Sequence, residues 1–285
     1  MTESPHPAAL WPAPSGQSRP DGDEGAVLAS LTLLGGHDKD GRPERLHLRL
    51  HPGDILCIVG PTGSGKSRLL ADLECLAQAD TPSGRRVLVN GAAPDADWRF
   101  GAHRHLIAQV SQNMNFVVDL TVEAFLALHA ACRRVAAPER VAAEVLACAN
   151  ALAGEPFRAD TALTQLSGGQ SRALMIADTA LLSASPVVLI DEIENAGIDR
   201  GKALALLTAH DKIVLVSTHD PILALMGGRR LVVGNGAVRA VIETSAAERA
   251  FLARLQRLDA ELMDIRRRLR AGEAIDGGKA PAWMP

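Results

Sequence analysis

Tyrosine does not occur in this sequence of 285 residues, and all aromatic residues together make up 3 % of it. That scarcity removes most of the stacking platforms on which single-stranded nucleic acid is held. A dominant charge is lacking as well, because 30 basic and 33 acidic residues are interspersed and leave a formal net charge of -3. With no basic face to attract a polyanion, no nucleic-acid partner is expected. Long apolar runs are missing too: the longest, such as PVVLI and KIVLV, are strand-sized, far below the roughly 18 residues that a membrane helix needs. The opening MTESPHPAALWPAPSGQSRPDGDEG has neither a basic start nor an apolar centre. It is therefore not expected to be a signal peptide, and the expected location is cytoplasmic, including peripheral attachment to the inner face of the cell membrane. Cys57, Cys75, Cys132 and Cys148 form no CxxC pair, which argues against a disulfide framework or a zinc site and makes them expected small core residues.

What is present suffices for a globular chain. A hydrophobic content of 47 % can bury a full core, and the length suits one large domain or one domain with a subdomain. Residues 1–25 carry five prolines and no apolar periodicity, so a disordered lead-in is expected there. Beyond Ala26, short apolar strands alternate with helical stretches: ILCIV at 55–59, RLLADLECLA at 68–77, HLIAQV at 105–110, VVLI at 187–190, ALALLTA at 203–209 and IVLVS at 213–217. That alternation predicts an α/β fold with a largely parallel sheet. Residues 121–153 are Ala- and Leu-rich and contain no strand pattern, which predicts a helical subdomain inserted into the sheet domain. RRLVVG and VRAVI read as further strands, followed by a long helix from about Ser245 to Leu269. Along it Phe251, Leu255, Leu258, Leu262, Ile265 and Leu269 alternate spacings of four and three, the seam of a short coiled coil. Two uses of that stripe are open: packing on its own domain, or contact with a second copy or a partner.

The stretch GPTGSGKS, residues 60–67, follows a strand and opens a helix. It fits the phosphate-binding pattern G-x-x-x-x-G-K-[ST] at every fixed position. Gly60, Gly63 and Gly65, with Pro61, Thr62 and Ser64 between them, let the backbone curl its amides around a phosphate at a helix N-terminus. Lys66 is placed to reach the β- and γ-phosphates, and Ser67 to give a hydroxyl to Mg²⁺. A second anion-ready helix start is LSGGQ at 166–170, where Ser167 precedes two glycines. One nucleotide has a single γ-phosphate, so the expected user of this second cradle is the nucleotide of another copy.

With those motifs in order, the chain resembles the ATP-binding cassette (ABC) ATPases, from about Ala26 to Ile242. The elements that carry the resemblance are GPTGSGKS, LSGGQ, the strand and acidic pair VVLIDE at 187–192, and STHD at 217–220. The resemblance implies an ABC-type P-loop core over residues 26–243 with a helical subdomain at about 113–183. A C-terminal helix over 244–271 and a flexible tail over 272–285 complete the expected organisation. It implies ATP and Mg²⁺ as cofactors, ATP hydrolysis as the activity, and a head-to-tail homodimer in which Ser167, Gly168, Gly169 and Gln170 serve the partner copy's nucleotide. Asp191 is implied to hold Mg²⁺ through water, Glu192 to polarise the attacking water, and His219 to contact the γ-phosphate and orient Glu192. Of Gln109 and Gln112, the family's spacing of eight residues before the Leu of the LTV that opens the helical subdomain selects Gln112 as the Mg²⁺- and water-sensing residue, leaving Gln109 a strand residue. Asp199 is the implied D-loop aspartate.

The sequence departs from the family in several places. The run IENAGID puts Asp199 seven residues after Glu192, where the family places it six after and has a Pro. Two extra residues precede Pro186, and Asp178 stands where Arg is common. No aromatic residue occurs in LTLLGGHDKDG, where the family stacks adenine. His37 or Leu34 is the available substitute, and loose base selectivity is the expectation. Family base rates favour an energy-coupling subunit docked on a separate membrane permease. The departures and the C-terminal helix instead suit a soluble ATPase that remodels, activates or assembles a protein or metallocofactor complex.

Overall fold

A computed structural model describes residues 27–101, 105–111, 116–191 and 198–275. They fall into two compact units, one ending at Glu243 and the other beginning at Thr244.

The first unit is built on a six-stranded sheet in the order β5-β6-β7-β3-β8-β9. Its strands are β3 (Ile55–Val59), β5 (Ile107–Ser111), β6 (Val187–Asp191), β7 (Ile213–Ser217), β8 (Arg229–Gly234) and β9 (Ala237–Glu243). All neighbours are parallel except the β8–β9 hairpin at the edge. The continuous apolar runs become strands because helices or a second sheet cover both faces, so every position can be buried. The period of two is plain in the packing. Val187, Leu189, Ile213 and Leu215 join one core cluster with Leu56 and Ile58, while Val188, Ile190, Val214 and Val216 join another with Cys57. The first cluster is closed by α1 (Lys66–Glu74) and by a three-stranded antiparallel sheet. That sheet consists of β1 (Leu31–Leu34), β2 (His47–Leu50) and β4 (Arg86–Val89), with β1 between the other two.

The second cluster is closed by helices from the expected helical block and beyond: α3 (Val122–Cys132), α4 (Pro138–Leu152), α5 (Gly168–Leu181) and α6 (Arg200–Ala209). The Asp178 departure has a local partner. His129 Nδ1 of α3 donates to Asp178 Oδ1 of α5 at 2.7 Å, while His129 Nε2 accepts from Arg133 Nε at 3.3 Å. A neutral imidazole satisfies both contacts.

Two cysteines correct the sequence expectation. Cys57 and Cys148 are buried as expected, and burial pushes each thiol up to about 11. Cys75 and Cys132 are exposed. Cys75 caps the end of α1 and Cys132 is the last residue of α3, positions where the chain turns away from the core.

Lys212 is buried between α6 and β7, its ammonium donating to the carbonyls of Ser183 at 2.7 Å and Ser185 at 2.8 Å. Burial, aided by the charge of Arg133, pushes its pKa from 10.5 down to about 8. Below pH 8 native and unfolded chains both carry the proton. Between pH 8 and about 10.5 the unfolded chain keeps a proton that the native state has lost, so stability rises with pH. The rise is expected to total about 3 kcal/mol. Urea unfolding of wild type and Lys212→Met across that range checks it. The stability difference between them should change by that amount and should be flat below pH 8.

In the second unit, α8 (Ala246–Arg270) starts at Ser245, whose side chain accepts from the Glu248 amide while the Glu248 carboxylate accepts from the Ser245 amide. That reciprocal pair fixes the helix start.

Candidate functional site

The C-terminal ends of four parallel strands meet in one row. Ser111 of β5 lies beside Asp191 of β6, Asp191 beside Ser217 of β7, and Ser217 beside Ile58 of β3. Strand-end crevices of this kind are where open α/β sheets bind ligands. The stretch after β3 is GPTGSGKS, and it enters α1 with Gly65 as N-cap in the left-handed region, φ 110°. Only glycine fits there. A Cβ on Gly65 would come within 2.8 Å of Gly236 Cα, and one on Gly60 within 2.3 Å of the Val233 carbonyl oxygen. The loop is thus pressed backbone to backbone against the β8–β9 hairpin. No side chain caps α1, so its first amides keep their donors for an anion. The buried Ser64 hydroxyl has no hydrogen-bond partner among the described residues.

Lys66 is 6 % exposed, and its ammonium donates to the carbonyls of Gly60 at 2.9 Å and Pro61 at 3.3 Å. It also lies 3.0 Å from His219 Nε2. An ammonium has no lone pair, so Nε2 accepts. The geometry therefore brings two of the sequence-assigned residues together across 153 positions. His219 follows β7 and is exposed. It does not cap the next helix: α7 (Pro221–Met226) is capped by Asp220, whose carboxylate accepts from the amides of Ile222 at 2.7 Å and Leu223 at 3.2 Å.

Asp191 ends β6, half-buried between two serines, and the Ser217 hydroxyl beside it is buried without a hydrogen-bond partner among the described residues. Ser67 is exposed in the first turn of α1. Hydroxyl and carboxylate oxygens are hard donors of the kind Mg²⁺ takes with waters, so the donor set fits that ion. Gln112 and Glu192 lie outside the described residues. Gln109 is in β5. Its amide nitrogen, oriented to satisfy both groups, lies 3.2 Å from a Glu74 carboxylate oxygen.

Ser167 is the N-cap of α5. Its hydroxyl accepts from the Gln170 amide at 3.3 Å, and the Gln170 side chain accepts from the Ser167 amide at 2.9 Å. Ser167 and Gly168 are exposed, with Gly169 and Gln170 half-buried, so the segment presents an N-terminus to solvent. Asp199 caps α6, accepting from the Lys202 amide at 3.0 Å.

One neighbour of the 60–67 loop is not marked in the sequence motifs. Lys39 donates from Nζ to the Gly63 carbonyl at 3.0 Å, and its amide donates to the Asn235 carbonyl at 3.0 Å. The loop around it is held by Asp38, whose carboxylate accepts from the amides of Asp40 and Arg42 and from Arg239. The Arg42 amide above all, opposed by burial and aided by Arg239, keeps that carboxyl below the usual range. His37, exposed in the same loop, bonds through its ring to the Asp38 carbonyl at 3.1 Å. No sequence motif marks Lys39, because what matters is its approach to Gly63.

Behind the loop lies a fully buried ionic cluster. Arg85 is 0 % exposed and donates to both carboxylate oxygens of Glu44 at 2.8 and 2.9 Å, to Asp72 at 2.8 Å and to the Gly236 carbonyl at 2.7 Å. The Gly236 amide in turn donates to the Ser64 carbonyl at 2.6 Å. One guanidinium thus ties helix α1, the loop before β2 and the β8–β9 turn to the back of the 60–67 loop.

Residues 43–195 match the sequence model of the family described as ABC transporter. A Methanocaldococcus jannaschii protein, an uncharacterized ABC transporter ATP-binding protein, is 50 % identical over 249 residues, covering 87 % of this chain and 95 % of that protein. A macrolide export ATP-binding/permease protein of Bradyrhizobium diazoefficiens is 32 % identical over 212 residues, which is 70 % of this chain and 31 % of the exporter. The chain thus spans about a third of that relative. An ATP-binding cassette solved as a dimer in a post-hydrolysis state with ADP and Pi superposes with a TM-score of 0.57 at 25 % identity, covering 76 % of this chain and 99 % of the other. The cbiO1 protein from Clostridium perfringens, part of an ABC transporter complex, shares the fold with a TM-score of 0.56 at 22 % identity over 82 % of this chain and 98 % of its own.

Proposed function

Because the chain belongs to the ABC transporter family, we propose that this ATP-binding subunit works as a head-to-tail homodimer coupling ATP hydrolysis to a separate membrane permease. The observation that carries the reading is the cradle formed by residues 60–67, with buried Lys66 in contact with His219 and Asp191 at the strand end two places away. Lys66 exchanges its carbonyl partners for β- and γ-phosphate oxygens and offsets their charge. The amides of residues 60–67 and the N-terminus of α1 hold the same phosphates. Ser67, Asp191 and Gln112 would hold Mg²⁺, which when bound neutralises charge on the β- and γ-oxygens. Glu192 accepts a proton from the water whose oxygen attacks the γ-phosphorus as the bond to the ADP oxygen breaks. His219 contacts the γ-phosphate and orients Glu192.

Each nucleotide is closed over by the second copy's Ser167, Gly168, Gly169 and Gln170, with Asp199 reaching across the same interface. The exposure of Ser167 and Gly168 supports this use. Ser167→Arg is expected to leave ATP affinity within about 3-fold, because the P-loop alone binds the nucleotide, and to abolish ATP-driven dimer closure through lost cap and added bulk. Small-angle X-ray scattering with and without ATP checks it, and a variant that compacts on ATP as the wild type does would refute trans use of the segment.

Val117 at 93 % exposed, Val118 at 47 % and Leu128 at 55 % place apolar surface near the start of the helical block, which supports docking of a partner there. Among the described residues no helix is long and apolar enough to cross a membrane, so any permease in the assembly is supplied by another chain or segment. The test is a pull-down of the Glu192→Gln protein with ATP and Mg²⁺ in mild detergent. A polytopic membrane protein in near-equal amount is expected. A soluble enzyme or cofactor-assembly protein, with nothing from the membrane, would replace the permease reading.

A further inference from the structure

The C-terminal helix α8 carries an apolar stripe of which four residues face solvent, Phe251 at 51 % exposed, Leu262 at 53 %, Ile265 at 39 % and Leu269 at 57 %, with Leu255 and Leu258 half-buried. Its spacing puts Leu255, Leu262 and Leu269 at a positions and Phe251, Leu258 and Ile265 at d positions of a heptad. The residues flanking that seam are charged in a definite pattern. Arg254 and Glu261 fall at g, Asp259 and Arg266 at e.

We propose that α8 pairs with α8 of a second copy as a parallel, in-register coiled coil that holds two cassettes together whether or not nucleotide is bound. The charges and the length of the apolar seam together choose this occupant and this orientation. In a parallel pair each g residue meets the e residue five positions on in the other helix. Arg254 then faces Asp259 and Glu261 faces Arg266, each pair occurring twice by symmetry, and all four are attractive. Turned antiparallel over the same overlap, g faces g, which sets Glu261 against Glu261 and Arg254 against Arg268. Slid by one heptad, an antiparallel pair sets Glu261 against Arg268 and Asp259 against Arg266, but it leaves Phe251 and Leu255 unpaired, so the parallel pair is the one that joins favourable charges to the whole seam. Fewer than three full heptads make a weak isolated zipper. Joined to cassettes that also meet over ATP, the zipper makes their re-encounter intramolecular, at an effective concentration in about the millimolar range. Hydrolysis then opens the nucleotide sandwich without releasing the partner.

The test uses the full chain without nucleotide, so that it does not depend on closure over ATP. In a Cys75→Ser, Cys132→Ser background, Leu255→Cys and Leu269→Cys are each expected to form self-disulfides under mild oxidation, since a-position pairs lie within disulfide reach. Light scattering is expected to give a dimer whose dissociation constant rises about 10-fold in Glu261→Lys and recovers in Glu261→Lys, Arg266→Glu. Crosslinks that appear only when the two cysteine variants are mixed would overturn the parallel arrangement. A monomer or tetramer in the unsubstituted chain, or failure of the paired reversal to recover, would overturn the proposal. ATP-driven compaction of the same samples, read by small-angle X-ray scattering, reports separately on the nucleotide sandwich.

Discussion

A Glu192→Gln protein is expected to bind ATP as the wild type does, hydrolyse it at least about 100-fold more slowly, and accumulate as a closed dimer. The amide keeps the size and polarity of the carboxylate and removes its basicity, so the attacking water is no longer relieved of its proton. Binding is expected to survive because the residues proposed to hold the phosphates are elsewhere: Lys66, donating to the Gly60 and Pro61 carbonyls, the amides of residues 60–67 and the uncapped N-terminus of α1. The dimer accumulates because closure needs ATP, and its loss is what opens the interface again. Phosphate-release rates, and compaction in small-angle X-ray scattering with ATP and Mg²⁺, check both halves. Turnover near the wild-type rate would remove Glu192 from the role that its place directly after Asp191 gives it.

Lys66→Ala is expected to reduce ATP affinity by about 100-fold or more, the loss of a charge-assisted contact at a shielded site. Lys66 is 6 % exposed and already held by two loop carbonyls and His219 Nε2, so its ammonium meets the nucleotide with little ordering still to be done. Truncation leaves the phosphate charge opposed only by backbone dipoles and the metal. Calorimetric titration with ATP and Mg²⁺ measures the loss. The unfolding midpoint of the nucleotide-free variant, expected near the wild-type value, separates it from misfolding. Wild-type affinity would show that the GPTGSGKS segment does not hold the phosphates.

Much of the sheet was legible in the sequence because fully buried parallel strands are written as unbroken apolar runs. The runs ILCIV and IVLVS become β3 and β7 residue for residue, and VVLI becomes β6 with Asp191 added. The antiparallel sheet was not legible. Its strands are four residues each, and β2 reads HLRL with alternate residues exposed, too short a signal to stand out from loop. The tight loop at residues 60–67 was legible because glycine at fixed spacing is demanded by backbone geometry, as the 2.8 Å approach at Gly65 shows. Lys39 beside Gly63 and His129 beside Asp178 were not, since each contact joins segments that only the fold brings together. Cys75 and Cys132 were misread because a small thiol at a helix end suits either side of a surface.

The cluster of Arg85, Glu44 and Asp72 sets terms for how this protein can diverge. A lone replacement there strands a charge away from water, at a cost of about 3–5 kcal/mol, a large part of the 5–15 kcal/mol by which whole domains are stable. Sequence drift through single steps is therefore blocked at these three positions, though replacement of all three by well-fitting apolar residues need not be. The β8–β9 turn, far along the chain from the phosphate loop, inherits the same restriction, because Gly236 is bound to Arg85 through its carbonyl and to Ser64 through its amide. Homologous chains are expected to keep the three charged positions as a set or exchange them as a set, with the glycine of the turn retained wherever the arginine is.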